Sequence, residues 1–454
     1  MQHTLQSSFV LKGKGLHTGK MLTATFSPAE ENSGIRICRT DLPDKPCYEA
    51  LADLVCATER GTVLKKGDFV VSTVEHAMSA LYAMGVDNCL IETDGSELPI
   101  LDGSAMPYVE KIKTVGLQEQ QAEQKVFQVR RKMVYEDASG TRIEILPDDG
   151  YSLDVHIDFN SPCLGNSFAS LTDLSLYENE VASARTFVFV REILPLLQKG
   201  LIKGGDLENA VVIYDQPLEQ QQIDELTCLT NQPSVSAEKL GYLTDLRWNN
   251  EPARHKLLDL IGDLALLGAR LQGRIIATRP GHTVNTAFCA QLRKEYLKTL
   301  VMPPLFKPDQ KPIYGIQQIK NILPHRYPLL LVDKIMYMSE NVIVGQKNFT
   351  GNEAFFNGHF PGEPVVPAVM LLEAMAQTGG ILLLHDKKDS GSYNTYFTRI
   401  DKAKFRQKIV PGDTALMRME ITEPMRHGIV KMFGYCYVGG VLAAEAELMA
   451  KISK

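Results

Sequence analysis

The 454-residue sequence has no uninterrupted apolar stretch of about 18 residues, the length that would predict a membrane-spanning helix. Its first fifteen residues, MQHTLQSSFVLKGKG, also lack the charged start and apolar centre of a secretory signal. No two cysteines have the CxxC spacing, so the eight cysteines are expected to be reduced, scattered core residues. These absences predict a soluble cytoplasmic protein with no membrane span.

Concentrated charge is missing as well. The formal net charge is −6 and no basic run occurs, so the sequence predicts no nucleic-acid partner. A chain of this length favours two or three domains. A hydrophobic content of 44% is sufficient for a sizeable core in each of them.

A proline-rich stretch divides the chain. Four prolines fall within residues 303–312, a pattern typical of an extended linker, and the linker is placed at 306–312. Before it, strand-like runs alternate with helical stretches, which indicates an α+β region of about 300 residues. A Gln/Glu-rich join at 117–125 divides that region into halves of about 1–120 and 125–305. After the linker, one long apolar helix and several strand-like runs predict a helix packed on an antiparallel sheet.

The helical segment RHKLLDLIGDLALL, residues 254–267, carries polar residues within an apolar pattern. His255, Asp259 and Asp263 recur every four residues and therefore lie on one stripe of the helix. Two carboxylates in apolar surroundings require a compensating cation or access to solvent, and a metal ion would supply the cation. The alternative is the solvated face of an amphipathic helix, with His255 and Asp259 as a weak ion pair.

Two other segments carry candidate catalytic groups. In VVSTVEHAM, Glu75 precedes His76 near the start of a helix, and zinc hydrolases combine His or carboxylate ligands with a separate glutamate base. Ser72 and Glu75 also match a capping box, in which Glu75 would only secure the helix start. His282 follows a strand-like run in a Pro/Gly turn, where an exposed imidazole could protonate a leaving group, although lone loop histidines are usually inert. The candidate metal ligands are then His76, His255 and Asp259.

Six motifs in residues 1–305 resemble the zinc-dependent deacetylases that remove acetate from UDP-3-O-acyl-N-acetylglucosamine in lipid A synthesis. They are GKGLHTGK at 13–20, STVEH at 72–76, LPILDGSAMPYV at 98–109, ARTF at 184–187, RHKLLDLIGDL at 254–264 and GHTVN at 281–285. The resemblance implies a two-halved α/β sandwich that binds Zn²⁺. One departure is the segment between residues 215 and 251, which is longer than the family pattern leads us to expect.

The same resemblance assigns a role to each candidate residue. It implies zinc ligation by His76, His255 and Asp259, with Glu75 as general base and His282 as general acid. It further implies that Thr186 helps hold the oxyanion and that Asp263 orients His282. Lys256 and Phe187 are expected to contact the substrate.

The region after the linker has a separate acid/base pattern. Glu373 and Gln377 are four residues apart on an apolar helix, and His359 lies 14 residues before Glu373 in a Gly/Pro loop. Burial would raise the pKa of Glu373, so that it could carry a proton while His359 removes one from carbon. The alternative is that Glu373 caps a neighbouring strand and His359 only fixes the loop.

Residues 313–454 resemble the (3R)-hydroxyacyl-acyl-carrier-protein dehydratases of the hotdog fold, an antiparallel sheet wrapped around a central helix. The motifs are ILPHRYPLLLVDKI at 322–335, GHFPGEPVVPAVMLLEAMAQ at 358–377, FTRIDKAKFRQKIVPGD at 397–413 and the final AEAELMAKI. The resemblance implies that His359 is the base at C2, that Glu373 assists departure of the 3-hydroxyl, and that no cofactor is needed. Ala368 replaces the usual glycine, and its backbone N–H is expected to polarise the substrate thioester.

Partners also follow from this second resemblance. His359 and Glu373 are expected to meet across a dimer interface, which implies a homo-oligomer, at least a dimer, with a hexamer as the larger alternative. Four cations are candidates for docking the acidic acyl carrier protein or form a solvated strand face, namely Lys402, Lys404, Arg406 and Lys408. The sequence thus predicts a fused deacetylase and dehydratase, with a non-catalytic acyl-binding module or a thioesterase as alternatives for the second part.

Overall fold

The computed structural model describes residues 1–199, 201–230, 240–301, 306, 310–387 and 393–453. The chain divides into two compact units, Met1–Tyr296 and Leu297–Lys454. Within the linker predicted at 306–312, residues 307–309 lie outside the described part, and so do residues 231–239 of the long 215–251 segment. No helix in the described ranges is both long and apolar enough to cross a membrane.

The described residues form the following helices. They are α1 Glu75–Ala83, α2 Met106–Val115, α3 Tyr177–Glu180, α4 Val190–Gln198, α5 Gln220–Thr230, α6 Glu251–Ala265, α7 His282–Val301, α8 Ile316–Ile322 and α9 Ala368–Leu384. Short 3-10 helices lie at Ala52–Leu54, Leu174–Leu176 and Ala354–Asn357.

The first unit contains the following strands. They are β1 His3–Leu5, β2 Phe9–Lys14, β3 Met21–Pro28, β4 Ile35–Arg39, β5 Cys47–Glu49, β6 Val55–Ala57, β7 Val63–Lys66, β8 Phe69–Val71, β9 Cys89–Thr93, β10 Leu117–Glu119, β11 Val126–Gln128, β12 Met133–Glu136, β13 Arg142–Leu146, β14 Tyr151–Asp158, β15 Asn166–Leu171, β16 Phe187–Phe189, β17 Val211–Tyr214, β18 Gly241–Tyr242 and β19 Arg270–Thr278. Most of these strands belong to two sheets, one of five strands and one of six, in which β11 is the additional strand and pairs with β19.

The two halves of the first unit repeat one topology. Their strand orders are β2-β3-β9-β4-β5 and β12-β13-β19-β14-β15, so in each half the last strand in sequence lies at the centre. In each half this central strand pairs in parallel with one neighbour, β4 or β14, and antiparallel with the other. A helix precedes each central strand, α1 before β9 and α6 before β19. The predicted two-halved α/β sandwich is therefore confirmed.

α1 and α6 pack against each other within a single apolar core. Alternating burial along β14 shows that one face of its sheet points into that core. The core contains residues of both sheets, such as Phe26 and Ile275, together with Ala77 of α1 and Leu258 of α6. α1 and α6 occupy equivalent places in the two halves. Because they pack against each other, candidate residues from distant parts of the sequence lie close together.

One sequence expectation about cysteine is wrong. Cys38 of β4 and Cys47 of β5 form a disulfide, whereas all eight cysteines were expected to be reduced. The two residues are directly opposed partners in the antiparallel β4–β5 pair, which brings their side chains together. Cys89, Cys289 and Cys436 are buried free thiols, as expected for core cysteines.

The second unit is a single antiparallel sheet with α9 lying on it. Its strands are β20 Lys334–Met338, β21 Val342–Asn348, β22 Asn394–Phe405, β23 Thr414–Arg426, β24 Ile429–Val438 and β25 Val441–Ser453. The strand order is β20-β21-β23-β24-β25-β22, and α9 packs on the inner strands β21, β23, β24 and β25. The predicted helix on an antiparallel sheet, the hotdog arrangement, is confirmed.

Candidate functional site

The polar stripe on α6 is buried rather than solvated. The exposed fractions of His255, Asp259 and Asp263 are 2%, 1% and 0%. The alternative of a solvated amphipathic face is therefore excluded. His255 Nε2 lies 3.3 Å from Asp259 Oδ1, so the two residues do contact each other, but in an environment where a carboxylate needs strong compensation.

His76 of α1 joins two of these residues in a cluster suited to a metal ion. One ligand atom each from His76, His255 and Asp259 lie within 4.8 Å of one another. His255 Nδ1 is 3.0 Å from the Ala184 carbonyl, so this nitrogen carries the proton and Nε2 is left as a ligand atom. Asp259 Oδ1 is buried and has no hydrogen-bond partner among the described residues. Two imidazoles and this unpartnered carboxylate oxygen fit a zinc ion.

The protonation tendencies of the cluster also suit a cation. Burial, followed by the nearby His255, lowers the pKa of His76 to about 3, which keeps its imidazole neutral. Burial would raise the pKa of Asp259, but His255, Lys256 and His282 outweigh it and hold that pKa well below its ordinary value. Neutral imidazole and ionised carboxylate are the forms that bind metals.

Glu75 does not act as a helix cap. Val74 is the N-cap of α1 and makes no side-chain cap, while the Ser72 hydroxyl donates to the Ser96 carbonyl. Glu75 Oε2 instead accepts a hydrogen bond from the Thr62 backbone N–H at 3.1 Å. Burial, helped by the charges of Asp263 and Asp259 and opposed by that of His282, raises the pKa of Glu75 to about 7.

His282 is the first residue of α7, directly after the Pro/Gly turn, and its side chain is only 10% exposed, so the expected exposed imidazole is wrong. Its Nδ1 lies 2.9 Å from Asp263 Oδ2, and its Nε2 is 3.7 Å from Asp259 Oδ2 and 3.9 Å from Glu75 Oε1. Burial opposes protonation, but Asp263, Asp259 and Glu75 together raise the pKa of His282 to about 9. The imidazolium therefore directs Nε2–H toward the cluster.

Two residues that the sequence interpretation did not single out complete this network. The Thr62 hydroxyl donates to Asp263 Oδ1 at 2.5 Å, and Asn285 Nδ2 donates to Asp263 Oδ2 at 2.9 Å. Together with His282, they give the buried Asp263 carboxylate three donors. Asn285 belongs to the GHTVN motif and could have been noticed, whereas no motif marks Thr62.

The expected substrate-binding residues lie around the same cluster. Lys256 Nζ donates to Asp259 Oδ2 at 2.7 Å and lies 5.4 Å from the centre of the Phe187 ring. The Phe187 ring is in turn 6.4 Å from the His255 ring. Thr186 is partly exposed, and its backbone donates to the Gly103 carbonyl and accepts from the Val211 amide.

A buried ion pair fixes the ARTF segment to the start of α6. Glu251 accepts hydrogen bonds from the Arg185 backbone N–H and Nε, at 3.0 and 2.9 Å, and from the Arg247 backbone N–H at 2.7 Å. Arg185 thereby holds the neighbouring Ala184 carbonyl opposite His255. Neither member of this pair was predicted as a site residue, although Arg185 lies within the ARTF motif.

The second unit places its candidate residues on two separate elements. Glu373 lies in the second turn of α9, and its Oε1 accepts a hydrogen bond from Gln377 Nε2 at 2.9 Å. Its side chain is 31% exposed, so the expected burial of Glu373 is only partial. His359 follows the last 3-10 helix, with Nδ1 at 2.9 Å from the Val365 carbonyl, and Ala368 is the first residue of α9. Within the described chain, no hydrogen bond or ion pair joins His359 to Glu373.

The candidate docking cations of β22 and the following loop each have an acidic partner. Lys402 pairs with Glu447, Lys404 and Arg406 share Glu445, and Lys408 pairs with Glu363. Their positive charge is thus locally offset, which favours a solvated face of mixed charge over an unbalanced basic patch.

Comparison with known proteins gives matches to both parts of the chain. The sequence profile of a family described as UDP-3-O-acyl N-acetylglycosamine deacetylase matches residues 2–294, and a profile described as FabA-like domain matches residues 323–447. A Porphyromonas gingivalis protein named bifunctional enzyme LpxC/FabZ is 52% identical over 454 residues, covering 99% of this chain and 98% of that protein.

Other relatives match the whole chain or its first part. A protein of the same name from Bacteroides thetaiotaomicron is 52% identical over 456 residues, covering 100% of this chain and 99% of that protein. A UDP-3-O-acyl-N-acetylglucosamine deacetylase from Teredinibacter turnerae is 37% identical over 296 residues, covering 64% of this chain and 90% of that protein. The first part thus resembles a free-standing enzyme, and the two-part organisation extends over the full length of the bifunctional relatives.

Proposed function

This chain belongs to the UDP-3-O-acyl N-acetylglycosamine deacetylase family, and because a FabA-like domain follows, we propose two specific reactions for this bifunctional enzyme. Residues 1–305 hydrolyse the acetamide bond of UDP-3-O-(3-hydroxyacyl)-N-acetylglucosamine and release acetate in lipid A synthesis. Residues 313–454 dehydrate (3R)-3-hydroxyacyl-acyl carrier protein to the trans-2-enoyl product in fatty acid synthesis. The observation that carries the proposal is the buried cluster of His76, His255 and Asp259 in a chain that matches bifunctional relatives over its whole length.

Members of the deacetylase family are zinc-dependent in general, and this cluster would hold the ion. His255 Nε2, a ring nitrogen of His76 and Asp259 Oδ1 would be the ligand atoms. When bound, zinc supplies a Lewis acid that lowers the pKa of water and stabilises negative charge on a carbonyl oxygen.

Glu75 and His282 divide the proton transfers of amide hydrolysis. Glu75, with its pKa raised to about 7, accepts the proton of the attacking water as the C–O bond forms. His282 then gives its Nε2 proton to the amine nitrogen as the C–N bond breaks, so that acetate and the free amine leave. Asp263 stabilises the imidazolium and fixes its orientation through the 2.9 Å contact with Nδ1.

The remaining residues of the first site act on the substrate. The Thr186 hydroxyl donates a hydrogen bond to the carbonyl oxygen as it gains charge. Lys256 and Phe187, which lie beside each other at the cluster, bind the sugar-linked part of the substrate. Lys256 also offsets the charge of Asp259 through the 2.7 Å contact.

In the second unit, His359 removes the C2 proton of the hydroxyacyl chain and Glu373 gives a proton to the 3-hydroxyl. The C3–O bond breaks, water leaves and the C2–C3 double bond forms. The Ala368 backbone N–H, at the start of α9, polarises the thioester carbonyl. No cofactor takes part in this reaction.

The second unit works as a homo-oligomer, at least a dimer, in which His359 of one copy meets Glu373 of another. β22 supports this arrangement because it is the edge strand of the sheet and exposes Tyr396, Phe397 and Ile400. A long apolar edge strand is a surface that a second chain can pair with and cover. The acidic acyl carrier protein is the partner that delivers the substrate.

One assay of the purified full-length protein tests both reactions. We expect free amine and acetate from the UDP-sugar, and enoyl product from 3-hydroxyacyl-acyl carrier protein. His255→Gln should abolish only the first reaction, and His359→Asn only the second. Release of free acid from 3-hydroxyacyl-acyl carrier protein, instead of enoyl product, would identify the second unit as a thioesterase. If neither free acid nor enoyl product forms, the second unit is a binding module.

A further inference from the structure

A segment between α8 and β20 is fastened to α9 beside Glu373. Gln377 Oε1 accepts a hydrogen bond from the Leu331 amide at 2.8 Å, while Nε2 donates to the Leu329 carbonyl at 2.6 Å and to Glu373 Oε1 at 2.9 Å. The orientation of the Gln377 amide is unambiguous because a backbone N–H only donates and a carbonyl only accepts. Gln377 is 2% exposed and therefore anchors the segment in one position.

His325 lies in this segment, and its Nε2 is 3.4 Å from Glu373 Oε1. The other ring nitrogen, Nδ1, is buried and has no hydrogen-bond partner within the described chain. An imidazolium would carry an N–H at Nδ1, and a buried donor without an acceptor is costly. The surroundings therefore favour the neutral tautomer whose proton is on Nε2 and faces Glu373.

Two side-chain nitrogens thus lie beside the same oxygen of Glu373, because Gln377 Nε2 donates to Oε1 and His325 Nε2 lies 3.4 Å from it. Oε1 faces Gln377 Nε2 and His325 Nε2, whereas no described residue donates a hydrogen bond to Oε2. All three side chains line a cleft with about 550 Å³ of space, open solvent included, whose other walls are largely apolar, as at Met432 and Leu448. Because Oε1 is engaged by these contacts, Oε2 is the oxygen of Glu373 that is left for an acyl chain in this cleft.

We propose that His325 is a positioning residue of the dehydratase. It holds Oε1 of Glu373 together with Gln377, so that Oε2 is the oxygen that gives its proton to the leaving 3-hydroxyl. This inference rests on the proposed dehydration, since His325 acts only through Glu373. It adds to that reaction a residue that exchanges no proton with the substrate and acts by orienting the carboxyl group of Glu373.

Three substitutions of His325 in the full-length protein test the proposal. A Gln amide nitrogen can reach the place of the imidazole Nε2, an Asn amide is too short, and Leu has no donor. We expect His325→Leu and His325→Asn to lower kcat for enoyl formation by about tenfold or more, with KM nearly unchanged. His325→Gln should retain most of the activity. His427→Gln, on the exposed β23–β24 turn, is the control and should match the wild type.

A substrate with a different leaving group separates positioning from a general structural defect. From a 3-chloroacyl thioester, His359 removes the C2 proton while the C3–Cl bond breaks and chloride leaves with the electron pair. Chloride needs no proton, so the defect of His325→Leu should shrink to less than about threefold on this substrate. The enoyl product is the same in both assays and can be measured in the same way.

The outcomes separate this inference from the proposed function. Absence of enoyl product from the wild type overturns the dehydratase function itself. If the wild type is active, three results overturn the inference alone. They are full activity of His325→Leu, an equal loss of activity by His325→Leu on both substrates, and an activity of His325→Gln that does not exceed that of His325→Asn. If circular dichroism shows that His325→Leu does not fold, the difference in activity between His325→Gln and His325→Asn tests the inference instead.

Discussion

Gly262 of α6 packs directly on the Glu75 carbonyl at the start of α1, and a Cβ built at position 262 would lie 2.1 Å from that oxygen. The contact joins the two helices that carry the candidate metal ligands. His76 is the residue after Glu75, and Asp259 lies one turn before Gly262. The separation of the helices, and with it the spacing of the ligand atoms, therefore depends on the absence of a side chain at position 262.

Gly262→Ala should force α1 and α6 apart at the metal site. Because the methyl group would meet backbone rather than a flexible side chain, we expect a loss of about 1–3 kcal/mol in the free energy of unfolding. Zinc affinity should fall more than the global stability explains. Chemical denaturation and zinc competition with a chromogenic chelator measure the two effects. Gly150→Ala, in an exposed turn with no close contact, is the matched control. Unchanged zinc affinity in Gly262→Ala would contradict this explanation.

Removal of metal should separate the two activities. The cluster of His76, His255 and Asp259 lies in the first unit, so dialysis against a chelator should abolish deacetylation and leave enoyl formation intact. Added zinc should restore deacetylation and raise the melting temperature, because a ligand at 100 times its Kd stabilises the folded state by about 2.7 kcal/mol. In His255→Gln, zinc should produce neither effect. Deacetylation by a preparation shown to be metal-free would refute the ligand assignment.

Thr62 connects Glu75 and Asp263, the two carboxylates to which we assign roles in proton transfer. Its backbone N–H donates to Glu75 and its hydroxyl to Asp263. Thr62→Val keeps the shape and the backbone contact but leaves a buried carboxylate oxygen without its donor, which costs about 1–3 kcal/mol. We expect lower stability and slower deacetylation, with recovery in Thr62→Ser. Thr114→Val, which removes an exposed hydroxyl on α2, controls for loss of a threonine hydroxyl as such. Equal behaviour of the Val and Ser variants would rule out this role.

The candidate metal cluster could be predicted from the sequence because the patterns that indicate it are local. His255 and Asp259 are four residues apart on one helix, and the motifs around Glu75 and His282 point to a known kind of site. The spacing could not say whether the stripe on α6 was solvated or buried. That depended on α1, which lies about 180 residues earlier and packs on α6 only in the folded chain.

Other features were out of reach because they arise from contacts between distant segments. Thr62 and Asp263 are 201 residues apart and belong to no shared motif. The Cys38–Cys47 disulfide depends on the register of β4 and β5, which the spacing of two cysteines does not determine. His325 lay inside a matched motif, yet its contact with Glu373 requires the path of the segment along α9. The sequence shows which chemical groups are present, whereas the packing of helices and strands determines which groups contact each other.

The buried pair of Arg185 and Glu251 should stabilise the first unit and preserve zinc binding at the same time. Side-chain exposure is only 9% and 0%, so removal of one partner leaves the other charge unpaired in the interior. We expect Glu251→Leu to cost about 3–5 kcal/mol, and the double variant Arg185→Met with Glu251→Leu to cost less than the sum of the two single changes. Urea denaturation of the four proteins gives this comparison, and full additivity would show that the pair does not act as a unit.

The same pair predicts a pH dependence of known sign. Burial would raise the pKa of Glu251, but Arg185 and the backbone donors outweigh it and lower that pKa from its ordinary value of 4.5. A carboxyl group with a lowered pKa in the folded state contributes stability above its unfolded pKa and loses it as the pH falls through the folded value. The stability difference between wild type and Glu251→Gln should therefore be constant near neutral pH and shrink below about pH 4.5. Denaturation midpoints of both proteins across this range measure it, and a difference that grows on acidification would contradict the assignment.

Because Ala184 is adjacent to Arg185 and accepts the Nδ1 proton of His255, Glu251→Gln should also weaken zinc binding, and Glu251→Asp should bind zinc more tightly than Glu251→Gln.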